Sequence, residues 1–222
     1  MRAKVTFLLV AMLFLARSGQ AGSFTVRVGK YSPVGNSDLW LENTETFNVL
    51  VSDFNFIFGG AEFTVELNEF VDLAFGVDVY SRRVNTHYRE FVRDDGTEIR
   101  QEMRLTLVPL TTGLRFLPLG KFRIVSPYVA GGFGLYPYEY EEQGEFIDFA
   151  TFDVFEARFR DSGVGFGGYA AAGIEVTVTR GFLVFGEYRR HWVWAQHGGD
   201  FWDYGDFDLD ASQIAFGFTA RF

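Results

Sequence analysis

An all-β fold, an eight-stranded antiparallel up-and-down transmembrane β-barrel, is predicted by three features of this 222-residue sequence. An export signal opens the chain, and no later segment could cross a bilayer as a helix. Eight segments then alternate apolar residues with polar or small ones. The links between them alternate in length, short and then long.

Arg2 and Lys4 precede an apolar run over residues 5–16, which ends in Arg17. Gly19 and Ala21 supply the small residues that signal cleavage after Ala21 requires, so residues 1–21 read as a secretory signal peptide and 22–222 as the barrel domain. Removing the signal takes three bases and no acid, and the formal charge moves from −9 to −12. No other run reaches the ~20 apolar residues of a membrane-spanning helix. An exported chain of this kind is either soluble or a closed barrel, because lipid leaves no partner for open backbone polar groups. The absence of Cys excludes disulfides, thiolate metal sites and thiol nucleophiles. The acidic balance argues against a nucleic-acid partner.

Alternation marks half-buried strands. Phe24, Val26 and Val28 oppose Thr25, Arg27 and Gly29; Phe63, Val65 and Leu67 oppose Glu62, Thr64 and Glu66; Leu73 to Val79 oppose Asp72 to Asp78. Residues 103–117 alternate but change phase near Pro109, which predicts a bulge. Segments 126–138, 165–178 and 182–194 follow, and the last strand sets Ile214, Phe216, Phe218, Ala220 and Phe222 against Gln213 to Arg221. Links 67–70, 118–123 and 179–181 are tight. Links 33–56, 88–99, 139–163 and 196–209 are long and polar or acidic. A barrel with short periplasmic turns and long extracellular loops sorts its links in this way.

One face is apolar throughout. The other carries Arg27, Glu62, Glu66, Asp72, Asp78, Arg115, Glu175, Glu187, Arg189 and Arg221 among Gly, Ala and Thr, the composition of a narrow polar lumen. These ten charges are expected to pair across the lumen and plug it, with a narrow pore for small solutes or hydrophobic molecules as the alternative. Tyr136, Tyr138, Tyr188, Trp192 and Trp194 stand near strand ends, where aromatic girdles meet lipid headgroups.

With these segments and the terminal Phe222, residues 23–222 resemble the small outer-membrane β-barrel family of OmpA- and OmpX-like eight-stranded proteins. The resemblance implies an outer-membrane location in a Gram-negative-type envelope, a monomer, contact with outer-membrane lipid and lipopolysaccharide, and insertion by the barrel assembly machinery. It also implies a last-strand assembly signal, which Gly217 and Phe222 match, while Ala215 and Ala220 stand where the family places a polar residue and an aromatic. Two lipid-A-modifying enzymes share this barrel size, and they are a third functional alternative. Yet none of His87, His191 and His197 has the His-x-Ser pairing that the deacylase would need, and interfacial or loop positions account for the three.

Residues 163–168 match a dinucleotide fingerprint in letters but open a strand, leaving no helix N-terminus for a pyrophosphate. Asp206, Asp208 and Asp210 fail the EF-hand pattern at Ala211 and Gly217, and read as a solvated acidic rim. Loop 139–163 carries Phe146, Phe149, Phe152, Phe155 and Phe159 among acids, spaced for an amphipathic helix or for extended hairpin strands. With Trp40 of loop 33–56 these form a candidate interaction surface. The sequence predicts no catalytic residue, cofactor or metal, and a structural or surface-interaction role.

Overall fold

The structure, a computed structural model, describes residues 22–121 and 123–222; the proposed signal peptide lies outside the described residues. Its strands are β1 (Gly22–Pro33), β2 (Phe56–Glu66), β3 (Val71–Val92), β4 (Glu98–Leu107), β5 (Leu110–Phe116), β6 (Val125–Ile147), β7 (Val154–Thr179), β8 (Phe182–Gln196), β9 (Asp206–Asp208) and β10 (Ala211–Arg221). One helix, α1 (Asp38–Thr46), and 3-10 turns at Val51–Phe54 and Gly199–Tyr204 lie in the long links. All pairings are antiparallel, and β1 bonds to both β2 and β10, which closes the ring. β9 adds only to the end of β8.

β4 and β5 act as one wall strand, so the barrel has eight. Tyr80 faces Leu107 and Val77 faces Leu110, which keeps step across Pro109. On the other side Tyr138 faces Leu107 and Leu135 faces Leu110, again in step. The expected bulge at Pro109 is therefore absent. A row of facing residues traced from Trp194 through Phe166, Leu135, Leu110, Val77, Ala61, Val26 and Phe218 returns to β8 at Val184, ten residues lower. Such a stagger in eight strands tilts each by about 40°.

The phase change near Pro109 has another cause, shared by every long strand. Along β6, Val129, Phe133 and Leu135 face outward and are exposed, but farther up Glu139 and Gln143 take that face. The inward face changes the opposite way, from Ala130, Gly132 and Gly134 to Tyr136, Tyr138 and Tyr140. On β3 the outward face passes from Val79 to Arg83, Asn85 and His87, while Val84 and Tyr88 turn inward. The geometry never slips; the medium outside the wall changes from lipid to water. Tyr136 and Tyr138 thus leave the expected girdle for the interior, whereas Tyr188, Trp192 and Trp194 are exposed on the outside.

Above the girdle β3, β4, β6 and β7 continue as an extracellular crown. The expected long loops 88–99 and 139–163 are therefore mostly strand, turning only at 93–97 and 148–153. Between the two readings of 139–163, the hairpin is the one observed, with Phe146 facing Phe155. Loops 33–56 and 196–209 fold over the inner face. Trp40 of α1 packs on Phe54 at 4.9 Å and on Phe207 at 6.3 Å, and its Nε1 donates to the Asp208 carbonyl. Tyr31, Tyr80 and Tyr140 complete a buried aromatic cap across the barrel mouth.

Gly217 faces inward where β10 crosses β1. A Cβ there would strike the Val26 carbonyl oxygen and lie 2.8 Å from the Phe185 ring. Gly217→Val is expected to lower stability by about 1–3 kcal/mol through overpacking, as measured by urea unfolding in detergent micelles. An unchanged midpoint would contradict this packing.

Candidate functional site: lumen and crown

Charges that alternate with small residues on every wall strand project into one narrow interior, and the structure gathers them in two tiers. In the upper tier, Arg27 donates through Nε and Nη2 to Asp78 at 2.7 and 3.0 Å, and through Nη1 to Glu62 at 3.0 Å. Arg189 bonds Glu62 at 3.0 Å and Glu187 at 2.9 Å. Its guanidinium lies 4.5 Å from the centre of the Tyr169 ring. Tyr128 donates to Glu187 at 2.9 Å.

The lower tier is centred on Arg115, which holds Asp72 at 2.8 Å and Glu175 at 2.6 Å. Arg221 reaches Glu175 at 3.5 Å and Glu66 at 3.8 Å. Lys121 completes the tier, paired with Asp72 at 2.5 Å and Glu66 at 3.4 Å. Sequence reasoning missed it because it sits in the short turn 118–123, outside any alternating segment. The available signal was the imbalance of six acids to four bases among the lumen residues, which called for another cation.

Nine of the eleven charged groups are in side chains at most 8 % exposed, and only Glu66 and Arg221, near the periplasmic rim, exceed that. The gap between the tiers, bounded by Thr25, Tyr128, Phe185 and Thr219, is too narrow to seat a water molecule. Above the upper tier His191 is fully buried inside the wall, with Nδ1 2.9 Å from the Tyr136 hydroxyl, rather than at an interface or in a loop.

The crown has its own polar pairs. Asp161 accepts from Tyr138 at 3.1 Å, from the Gly198 amide at 3.2 Å and lies 2.9 Å from His197 Nδ1. The imidazole packs 4.2 Å from the Phe207 ring, with Nε2 buried and unpartnered. Burial pushes the His197 pKa below its usual 6.5, against the opposing pull of Asp161. Glu142 is buried without a cation; Tyr140 donates to it at 2.6 Å and Asn43 of α1 at 2.9 Å. Burial raises its pKa above 4.5, the two hydrogen bonds only partly offsetting this. Through their contacts His197 and Asp161 tie the 196–209 link to β7 and to the Phe207 ring.

The remaining predicted residues separate by exposure. Trp40 and Phe146 are buried and serve the crown's own core, and Phe159 packs against it. Phe149, Phe152 and Phe155 are exposed near the hairpin tip. Phe222 stands outward at the periplasmic end, stacked 6.3 Å from Phe63, and its backbone pairs with Gly22. The acidic rim is engaged by backbone: Asp200 accepts from the Arg160 amide, Asp208 from Asn36 and Asp210, and Asp210 from Val193.

Residues 6–222 match the family model described as outer membrane protein beta-barrel domain. The chain belongs to that family. OprG from Pseudomonas aeruginosa is similar in structure at TM-score 0.57 and 14 % identity, covering 91 % of this chain and 97 % of that one. Neisserial surface protein A is similar at TM-score 0.48 and 11 % identity, covering 92 % and 98 %. Ail of Yersinia pestis, solved with the heparin analogue sucrose octasulfate, is similar at 0.43 and 12 %, covering 90 % and 99 %. The likeness to OprG shows a shared fold. No curated protein sequence matches this one.

Membership in an outer membrane family places the two tiers between lipid-facing walls, where a broken pair cannot draw on bulk water. Arg189→Met leaves Glu62 and Glu187 short of a partner and is expected to destabilise the barrel by about 3–5 kcal/mol. Arg189→Met with Glu187→Gln should recover part of that loss in the same urea titration; no recovery would contradict the pairing.

The crown titrates in two opposing directions. His197 binds its proton less readily when folded, so its stabilising effect is present above about pH 6.5 and is lost as pH falls. Glu142 binds its proton more readily when folded, so acidification stabilises through it until pH approaches 4.5. Between pH 7 and 5 the crown of Glu142→Gln should loosen on acidification and that of His197→Gln should tighten, read by tryptophan fluorescence during unfolding. Identical pH slopes would contradict both assignments.

Proposed function

We propose that this outer-membrane barrel is non-enzymatic and non-conducting, and that its work is done by the extracellular crown as a structural and surface-interaction module. The observation that carries the reading is the interlocked pair of charge tiers, with no space for water between them. The aromatic cap above supports it by covering the same passage from outside. In this reading residues 1–21 are cleaved on export, Gly217 and Phe222 are read by the barrel assembly machinery, and the mature monomer sits among outer-membrane lipid and lipopolysaccharide. A surface role is supported by Phe149, Phe152 and Phe155, apolar rings displayed to water far from lipid.

Planar-bilayer recording of the refolded 22–222 chain beside its Glu187→Gln variant tests the reading. Wild-type silence in a barrel shown to be folded is the expected result. Discrete steps whose ion preference shifts in the variant would make the lumen the working part and overturn it.

A further inference from the structure

The turns of the β3–β4 and β6–β7 hairpins stand side by side at the top of the crown, and a cleft of about 600 Å³ lies between them. That volume falls in the ~300–1,000 Å³ range of sites that enclose small molecules. Its apolar lining is Phe91, Val92, Ile99, Ile147, Phe152 and Val154. Ile99 and Ile147 are buried, Phe91 packs against the crown core, and Val92 and Phe152 are 62 % and 68 % exposed. The cleft therefore grades from a dry floor to an open mouth. Val154 lies twelve residues beyond Phe166 of the girdle, roughly 30 Å above it for tilted strands. The protein's own bilayer cannot cover this lining.

The walls are held in place by the chain itself. The Asp148 carbonyl accepts the amides of Thr151 and Phe152 at 3.2 and 2.6 Å, and the Asp148 amide donates to the Asp153 carbonyl at 3.0 Å. That turn keeps Phe152 at a positive φ of 62° with its ring toward solvent. Across the mouth Phe91 is braced edge-on by Phe149 at 5.8 Å. A ligand entering such a cleft has little of the protein left to order.

Charge selects the ligand. Residues 88–100 and 145–156, which form the two tips, hold eight acids and three bases. All three bases are already engaged. Arg93 is tied to Glu145 at 2.5 Å and Arg100 to Glu98 at 3.2 Å, while Arg89 donates to the Thr44 and Phe47 carbonyls. The acids at the cleft, Asp94, Asp95 and Asp153, have no base paired to them among the described residues. Three carboxylates beside an apolar cleft repel an anion and attract a cation, and the exposed phenyl rings favour an organic ammonium ion over a hydrated metal ion.

We propose that this cleft binds a small amphiphilic ammonium ion, with its apolar body between Phe91, Ile99, Ile147 and Phe152 and its cationic nitrogen among Asp94, Asp95 and Asp153. The proposal rests on the surface-interaction reading above and gives it a place and a ligand chemistry.

The test is isothermal titration of the folded 22–222 barrel in phosphatidylcholine nanodiscs, with empty nanodiscs as control. The probes are naphthylmethyl-trimethylammonium, naphthylmethanol, naphthylacetate and tetramethylammonium. The expected result is one site for the naphthyl cation, with the alcohol weaker and the other two ions not bound. Asp94→Asn with Asp153→Asn, both at exposed turn positions, should weaken the cation by about tenfold and leave the alcohol unchanged. Phe152→Gly removes a wall yet suits the positive φ, and should weaken cation and alcohol alike. Naphthylacetate binding as tightly as the cation, no cation binding beyond the empty nanodiscs, or unchanged affinity in either folded variant would overturn the proposal. Tetramethylammonium binding as tightly would reduce the site to acidic charge alone and would also overturn it. A barrel that is silent in bilayers and ignores the naphthyl cation fails this inference alone. One that conducts fails the closed-lumen reading, whatever the cation does.

Discussion

Charge confined within eight strands is the constraint on which the rest of this structure depends. An interior of that width cannot hydrate eleven ionised side chains, and an unpaired one is expensive in a dry site. The chain meets the constraint by distributing acids and bases over nearly every wall strand, so that the shared ion pairs tie several strands together, some across the lumen. Arg27 of β1 joins Glu62 of β2 to Asp78 of β3, and Arg115 of β5 joins Asp72 of β3 to Glu175 of β7. Neighbouring Gly and Thr residues leave room for those long side chains. The network is thus coupled to barrel closure itself: β10 contributes Arg221 to the lower tier and Gln213 to Asp78 in the upper one.

The crown obeys the opposite rule with the same strands. Once the wall rises past Trp194 and Phe166, water replaces lipid outside, and the tyrosines and aliphatics that would have faced lipid turn inward. One continuous sheet therefore carries a polar lumen below and an apolar core above. Buried polar groups in that core, Glu142 and the Asp161–His197 pair, are held by tyrosines and amides instead of opposite charges. This gives the crown its sensitivity to pH.

Much of the barrel was legible in the sequence, because period-two alternation is a direct image of a wall with two different sides. Strand number, the parity of short and long links, and all ten lumen charges followed from it. What escaped was whatever depends on the medium. Pro109 read as a bulge because Leu105 and Leu107 point inward while Leu110 and Leu114 point outward; that reversal records the lipid boundary, and the register is unbroken. Tyr136 and Tyr138 read as girdle for the same reason. Residues 139–147 and 154–163 read as loop since acids occupy their outer face. Lys121 was invisible to periodicity, because a turn residue joins the lumen only through tertiary folding.

The central claim is that the passage through the barrel is shut between the two tiers, and the absence of native cysteine allows a direct test. Thr25 and Thr219 hydrogen-bond each other at 2.8 Å beside the gap between the tiers. A single cysteine replacing Thr219, in the folded barrel in nanodiscs, would be offered a small charged thiol reagent. Protection from labelling until the barrel is unfolded is the result the account predicts. Rapid labelling in the folded barrel would show water and ions reaching the centre of the lumen, and would contradict it.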